Sequence, residues 1–248
     1  MIRAIIFDLD GTLVDTEPLH FAAFNEALAP LKIAIPREDY WARLIGYDDQ
    51  GCFEIVLRER FGTASADEIN TLIRRKTGIY QRLITGGNLL YPGALEFVRQ
   101  CAERFPLALA TGTLADEAEH LLAQTGLRDS FIEIVAAEHV SQGKPSAMPF
   151  VAALERLNKA LRACPSTAAR FAALAKPLEP GQSGITAAQC LAIEDSVAGV
   201  TSARRAEMKV LALTHTARPA ELSQADLVFD SFEAINLDLV LRTFDDKV

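Results

Sequence analysis

The chain has little of what builds sulfur-based frameworks. Its four cysteines, Cys52, Cys101, Cys164 and Cys190, are widely scattered and form no C-x-x-C pair. That excludes a zinc ribbon and leaves free thiols in a reducing compartment as the expectation. The four histidines are scattered too, so a structural zinc site is not expected. There is no basic excess. The formal net charge is −8, which gives no reason to expect a nucleic-acid partner. No uninterrupted apolar stretch approaches the length that spans a bilayer, so no membrane partner is expected. The opening Met1-Ile2-Arg3-Ala4-Ile5-Ile6-Phe7 runs into acids at once and lacks the features of a signal peptide, which points to the cytoplasm. What is present is the composition of a folded chain: 248 residues, 50% hydrophobic and 23% charged. That length suits one large domain, or a core with a smaller partner.

The apolar pattern divides the chain into unequal stretches. Arg3 to Phe7 is a short apolar run ending at acids and a glycine, the signature of a buried strand entering a loop. Similar runs recur at Leu107 to Ala110, Ile132 to Ala136, Leu191 to Ile193, Val210 to Leu213 and Leu227 to Phe229. Helical patterns lie between them, at Leu114 to Gln124 (with Thr113 as N-cap and Gly126 as the stop) and at Val197 to Ala206. Strands alternating with helices predict an α/β fold with a parallel sheet covered on both faces. Residues 16 to 90 differ. Helical patterns at Leu19 to Leu28, Asp49 to Phe61 and Ala66 to Thr85 fill them without a convincing strand, as in a helical insertion after the first strand. Residues 160 to 188 are rich in alanine and carry Pro165, Pro177, Pro180, Gly181 and Gly184. They read as an excursion with one helix, about Ser166 to Ala175, and a turn-rich return.

Chemistry-bearing residues fall at the ends of the expected strands. In Asp8-Leu9-Asp10-Gly11-Thr12 the two acids are two residues apart and so share a face of an extended chain. Ligand sites in open α/β sheets lie at the carboxyl ends of strands. A carboxylate there can attack phosphorus to give an acyl phosphate. A second acid can protonate the leaving oxygen and then deprotonate water. Asp8 is the candidate nucleophile and Asp10 the candidate acid and base, against the bland alternative of a solvated acidic turn. After the second strand, Thr111-Gly112-Thr113 offers a hydroxyl and backbone N–H groups suited to a phosphate oxygen. Lys144, between Gly143 and Pro145, sits on a loop where it could offset both phosphate and carboxylates; a surface lysine is the alternative. Glu194 and Asp195 come directly after the strand at Leu191. Crowded acids are costly unless a hard cation joins them. Mg²⁺, an oxygen-liganded octahedral ion, would take Asp8, the Asp10 carbonyl and Asp195, with Glu194 bound directly or through water. An N-cap at Asp195 or Ser196 is the competing reading.

Taken together, Asp8-Leu9-Asp10-Gly11-Thr12, Thr111, Lys144 and Glu194-Asp195 resemble the motifs of the haloacid dehalogenase superfamily. The stretches Asp10 to Glu17 (DGTLVDTE) and Glu194 to Gly199 (EDSVAG) are similar to its helical-cap branch, which contains β-phosphoglucomutase, phosphoglycolate phosphatase and sugar-phosphate phosphatases. The resemblance covers the chain except about residues 160 to 188. It implies a Rossmann-like core (1–15 and 91–248) with a helical cap (16–90), Mg²⁺, an aspartyl-phosphate on Asp8, and phosphoryl binding by Thr111, Gly112 and Lys144. Asp10, absent from the dehalogenases, argues for phosphoryl transfer. In the cap, His20 and Lys76 are mutase-like. Asp49, preceded by Asp48, stands where the mutase carries an arginine for a second phosphate, and Leu114 and Ala115 also depart from it. Where relatives show K-P-x-P-D the chain has Lys144-Pro145-Ser146-Ala147-Met148. Hydrolysis of a small phosphorylated metabolite by a monomer or weak homodimer is therefore expected, with a phosphomutase as runner-up. A non-catalytic binding or regulatory protein on the same scaffold is the alternative of another class.

Overall fold

A computed structural model describes residues 1–84, 89–164 and 184–245. The expected helix at 166 to 175 lies outside the described residues, as does most of the 160 to 188 excursion. Six strands form one parallel sheet: β1 (Ala4–Phe7), β2 (Leu107–Ala110), β3 (Glu133–Val135), β4 (Cys190–Glu194), β5 (Lys209–Leu213) and β6 (Leu227–Phe229), in the order β3-β2-β1-β4-β5-β6. The strand order reverses beside β1, which pairs with β2 through Ile6 and Ala108 and with β4 through Ile6 and Ala192.

Alternation along the strands sorts the side chains into two cores. Ile5, Phe7, Leu107, Leu109, Leu191, Ile193, Leu211 and Leu213 pack on one face with helices α4 (Ala94–Arg104), α5 (Ala115–Thr125) and α8 (Leu237–Asp245). Ala4, Ala108, Ala110, Ala192 and Ala212 line the other, where α6 (Met148–Ala163) and α7 (Val197–Arg205) lie. One face is thus built from large residues and the other mostly from alanine, against which Phe150, Leu157 and Val200 supply the bulk.

Between β1 and α4 the chain forms α1 (Glu17–Leu28), a π-helical turn (Tyr40–Leu44), α2 (Asp49–Phe61) and α3 (Ala66–Leu83). Asp48 caps α2 by accepting from the Gly51 N–H at 2.7 Å. Gly62 ends α2 in the left-handed region that favours glycine. Ser65 and Glu68 form a capping box on α3. Phe24, Phe53, Val56, Ile69, Leu72 and Ile79 are buried among these helices, with the Phe24 and Phe53 rings 5.0 Å apart. The chain leaves and re-enters the sheet side by side: Asp15 N–H donates to the Leu89 carbonyl and Tyr91 N–H to the Leu13 carbonyl.

Two details differ from the sequence expectations. Thr113 does not cap α5. Leu114 holds the N-cap position and makes no side-chain cap bond, while Thr113 is drawn to Asp10. Helix α6 continues to Ala163, so the chain is still helical where the excursion was expected to begin. Helices α4, α6 and α8 are not among the segments singled out from sequence.

Candidate active site

The carboxyl ends of β1, β2, β3 and β4 bring the sequence candidates to one crevice. Asp8 comes after β1, Thr111 after β2, Lys144 lies on the loop after β3, Glu194 ends β4 and Asp195 is the next residue. All five are buried. Lys144 Nζ donates to Asp8 Oδ1 and, at 2.5 Å, to Glu194 Oε1. The missing acid of the lysine loop therefore leaves Lys144 with two carboxylate partners. Its loop is tied to α7, where Ser202 donates to the Ser146 carbonyl and Arg205 to the Pro145 carbonyl.

Asp195 has both oxygens held by hydroxyls. Thr12 donates to Oδ1 at 2.5 Å and Thr216 donates to Oδ2. Glu194 accepts from the Asp195 N–H at 3.1 Å, and its carboxylate fills the space a side chain at Gly199 would need. Ser196, one of the two residues expected to cap α7, does so by accepting from the Gly199 N–H.

Asp10 sits in a cage of donors. Thr16 reaches Oδ1 at 2.6 Å, Thr113 reaches Oδ2 at 2.5 Å, and Thr111 reaches Oδ2 at 3.2 Å. His20 Nε2 is 3.2 Å from Oδ1. His20 Nδ1 in turn lies 2.8 Å from Lys76 Nζ, which donates to Asp49 Oδ1 at 2.8 Å. The three candidates from the helical segment are thus one chain of contacts leading to Asp10. Asp49 is paired with Lys76 rather than presenting a bare charge.

Burial and charge pull these groups apart. Burial pushes the Asp8 carboxyl up to about 8, against the attraction of Lys144 and with repulsion from Glu194 and Asp10 adding to it. Burial, then Glu194 and Asp8, raises Asp195 well above the usual carboxylate range. Burial works on Asp10 in the same direction, but His20, Thr113 and Thr16 outweigh it and hold that carboxyl well below its ordinary value. Lys144 is raised because its two carboxylates overcome burial. One oxygen from each of Asp8, Glu194 and Asp195 lies within 4.8 Å of the others. Three buried carboxylates facing one ammonium leave an excess of negative charge, and the oxygen-only donor set fits a hard dication.

A family model described as haloacid dehalogenase-like hydrolase matches residues 2–207. The chain belongs to the haloacid dehalogenase-like hydrolases. This hydrolase is 33% identical over 235 residues to protein CbbY of Rhodobacter capsulatus, covering 91% of this chain and 88% of that one. It is 28% identical over 212 residues to the fructose-1-phosphate phosphatase YqaB of Escherichia coli K12, covering 82% and 92%. A crystal structure of CbbY from Rhodobacter sphaeroides in complex with xylulose 1,5-bisphosphate superposes with a TM-score of 0.74 at 28% identity, covering 95% of this chain and 97% of that one.

Sequence reasoning missed several residues that the fold of the hydrolase brings in. Thr12 stands inside the first motif and could have been found there. Thr16 and Glu17 lie in the DGTLVDTE stretch. Thr113 has the sequence context of a helix cap, which hides its bond to Asp10. Tyr40, whose hydroxyl donates to Glu17 Oε2 at 2.8 Å, and Thr216 carry no signal in the sequence. Among the described residues no helix is long and apolar enough to cross a membrane.

Proposed function

We propose that this hydrolase is a Mg²⁺-dependent phosphatase that cleaves a sugar phosphate, or a similar small phosphate monoester, through an aspartyl-phosphate on Asp8. The observation that carries this reading is the convergence of Asp8, Asp10, Lys144 and Asp195 on one buried crevice. Asp8 attacks phosphorus as the ester oxygen leaves, and Asp10 gives that oxygen a proton. Water then attacks the phosphorus of the acyl phosphate, Asp10 takes its proton, and phosphate leaves with Asp8 restored. The hydroxyls around Asp10 favour its ionised form, which the second step needs. Thr111, Gly112 and Lys144 bind the transferring phosphoryl group. Mg²⁺ held by Asp8, the Asp10 carbonyl and Asp195, with Glu194 beside it, would offset the charge of phosphate and carboxylates.

Residues 16–90 act as a cap on a core formed by 1–15 and 91–248, excluding water from the crevice. His20, Lys76 and Asp49 couple that cap to Asp10 and meet the substrate. The names of the relatives support a phosphorylated sugar as substrate, and the protein works in the cytoplasm as a monomer or weak homodimer. Phosphomutase action is the second reading. The Lys76–His20–Asp10 contacts favour it, and Asp48 opposes it, while the charge of Asp49 is taken up by Lys76.

Phosphate release from fructose 1-phosphate and a panel of sugar phosphates, with and without Mg²⁺, tests the proposal. Turnover is expected to need Mg²⁺, and Asp8→Asn is expected to lower it by about 10³-fold or more. Metal-independent turnover that survives Asp8→Asn would remove the reading. Glucose 6-phosphate forming from β-glucose 1-phosphate and a bisphosphate primer faster than free phosphate would move it to the mutase.

A further inference from the structure

Beside the catalytic crevice lies a cavity of about 400 Å³ lined by Tyr47, Asp48, Asp49, Glu54, Glu138 and Lys144, among others. It shares Tyr47, Asp49, Gly112 and Lys144 with the space around Asp8 and Asp10. A substrate whose phosphate meets Asp8 would extend its organic part this way. Among the described residues lining the cavity, Lys144 is the one cation, and it is already committed to Asp8 and Glu194. Four carboxylates line the same wall. One of them, Asp49, is offset by Lys76. Among the described residues, Asp48, Glu54 and Glu138 have no cation within ion-pair distance except Arg58 on Glu54.

The wall also contains the start of α5. A helix N-terminus with free N–H groups is a ready anion site. Here it is taken. The Ala115 N–H donates to Glu138 Oε1 at 3.0 Å and to Oε2 at 3.3 Å. The chain's own carboxylate occupies the position a second substrate anion would use. Deeper in, Glu17 presents a buried carboxylate that already accepts from Tyr40. Carboxylates of this kind accept hydrogen bonds from hydroxyls and repel anions.

We infer that the hydrolase selects a phosphate monoester whose organic part is uncharged and hydroxylated, and that Glu138 is a specificity-determining residue that denies the α5 N-terminus to a second anion. This rests on the phosphatase reading of the site. It sets the hydrolase apart from the CbbY protein whose structure contains a bisphosphate.

The test compares kcat/KM of the full chain with Mg²⁺ for fructose 1-phosphate, fructose 1,6-bisphosphate, xylulose 1,5-bisphosphate and phosphoglycolate. Fructose 1-phosphate is expected to lead each substrate that carries a second anionic group by about tenfold or more, the effect of one added repulsive contact at short range. Glu138 is exposed and its charge is screened by solvent, so in Glu138→Lys the ratio of bisphosphate to monophosphate turnover is expected to rise by about three- to fivefold. In Glu138→Gln it rises less, which keeps the test open if the lysine variant folds poorly. A bisphosphate or phosphoglycolate that leads in the wild type overturns the inference and leaves the phosphatase reading standing. So does a ratio that neither variant moves. Absence of Mg²⁺-dependent release from every substrate overturns both.

Discussion

At the scale of single residues, the crevice is a set of carboxylates kept in different states by their neighbours. Glu117, on α5, extends that set. It is buried beside the Lys76, Asp49 and His20 contacts, and among the described residues neither its Oε1 nor the Tyr80 hydroxyl has a hydrogen-bond partner. Burial, only partly opposed by Lys76, pushes its carboxyl from 4.5 up to about 7. Between those values the unfolded chain loses the proton while the folded chain keeps it, so stability falls as pH rises through that window and this contribution is flat above it. Glu117→Gln removes the titration. The variant is expected to gain on the wild type by up to about 3 kcal/mol between pH 4.5 and 7.5. Urea unfolding at several pH values reads the gap, and a gap that stays constant across the window counts against it.

The chemistry-bearing residues were legible because the end of a buried strand fixes the position of the next few residues. Asp8, Asp10, Thr111, Lys144, Glu194 and Asp195 each lie close after a short apolar run, and parallel pairing brings all those ends together. Thr216 and Tyr40 were not legible, since nothing local distinguishes a threonine that reaches Asp195 from one that faces water. Thr113 shows the same limit in another form. A threonine before a helix has an obvious local role, and a long-range bond to Asp10 displaced it.

At the scale of elements, the apolar runs marked the strands well because a buried parallel strand is apolar on both faces. Leu107–Ala110, buried throughout, matches the structure end to end, and so does Leu227–Phe229 on the partly exposed edge of the sheet. The helix ends obey local signals too, with Gly126 closing α5 in the left-handed region. The alanine-rich strand face was harder to interpret, because small residues signal nothing until the helices they admit are in place. Glycine carries the sharpest element-level demand. In α7, a Cβ on Gly199 would lie 2.0 Å from the Glu194 carboxylate. In α3, a Cβ on Gly78 would meet nothing within 4 Å. Both glycines stand in helices, where alanine is intrinsically better by about 1 kcal/mol. Gly78→Ala is therefore expected to stabilise the protein by roughly 0.5–1 kcal/mol. Gly199→Ala is expected to do the reverse, by about 1–3 kcal/mol, and to lower turnover at least tenfold by moving Glu194 away from Lys144. Thermal melts and phosphate-release rates of the pair decide it. Equal behaviour of the two variants would show that Glu194 is not held by the bare backbone of α7.

At the scale of the whole molecule, the helical segment and the sheet meet closely over the crevice. A Cβ on Gly143 would lie 2.1 Å from Asp48 Oδ2, and one on Gly46, already in the left-handed region, 2.3 Å from Ser196 Oγ. This fit encloses Asp8, Glu194 and Asp195 with Lys144 and leaves their negative charge in excess. The folded state without a dication therefore carries a repulsion that the unfolded chain does not. A cation bound by the folded state alone stabilises it by about 2.7 kcal/mol at a hundredfold excess over Kd, or several degrees in Tm. Mg²⁺ is expected to raise the Tm of the wild type over an EDTA control by that amount. Asp195→Asn removes one carboxylate without changing its shape, and the hydroxyls of Thr12 and Thr216 can accept as well as donate. Its Tm in EDTA at pH 8 is expected to exceed that of the wild type, while its response to Mg²⁺ is lost. The two changes run in opposite directions and so separate charge relief from general damage to the fold. If Mg²⁺ raises the Tm of both proteins equally, the ion binds elsewhere and the three carboxylates are held together by Lys144 alone.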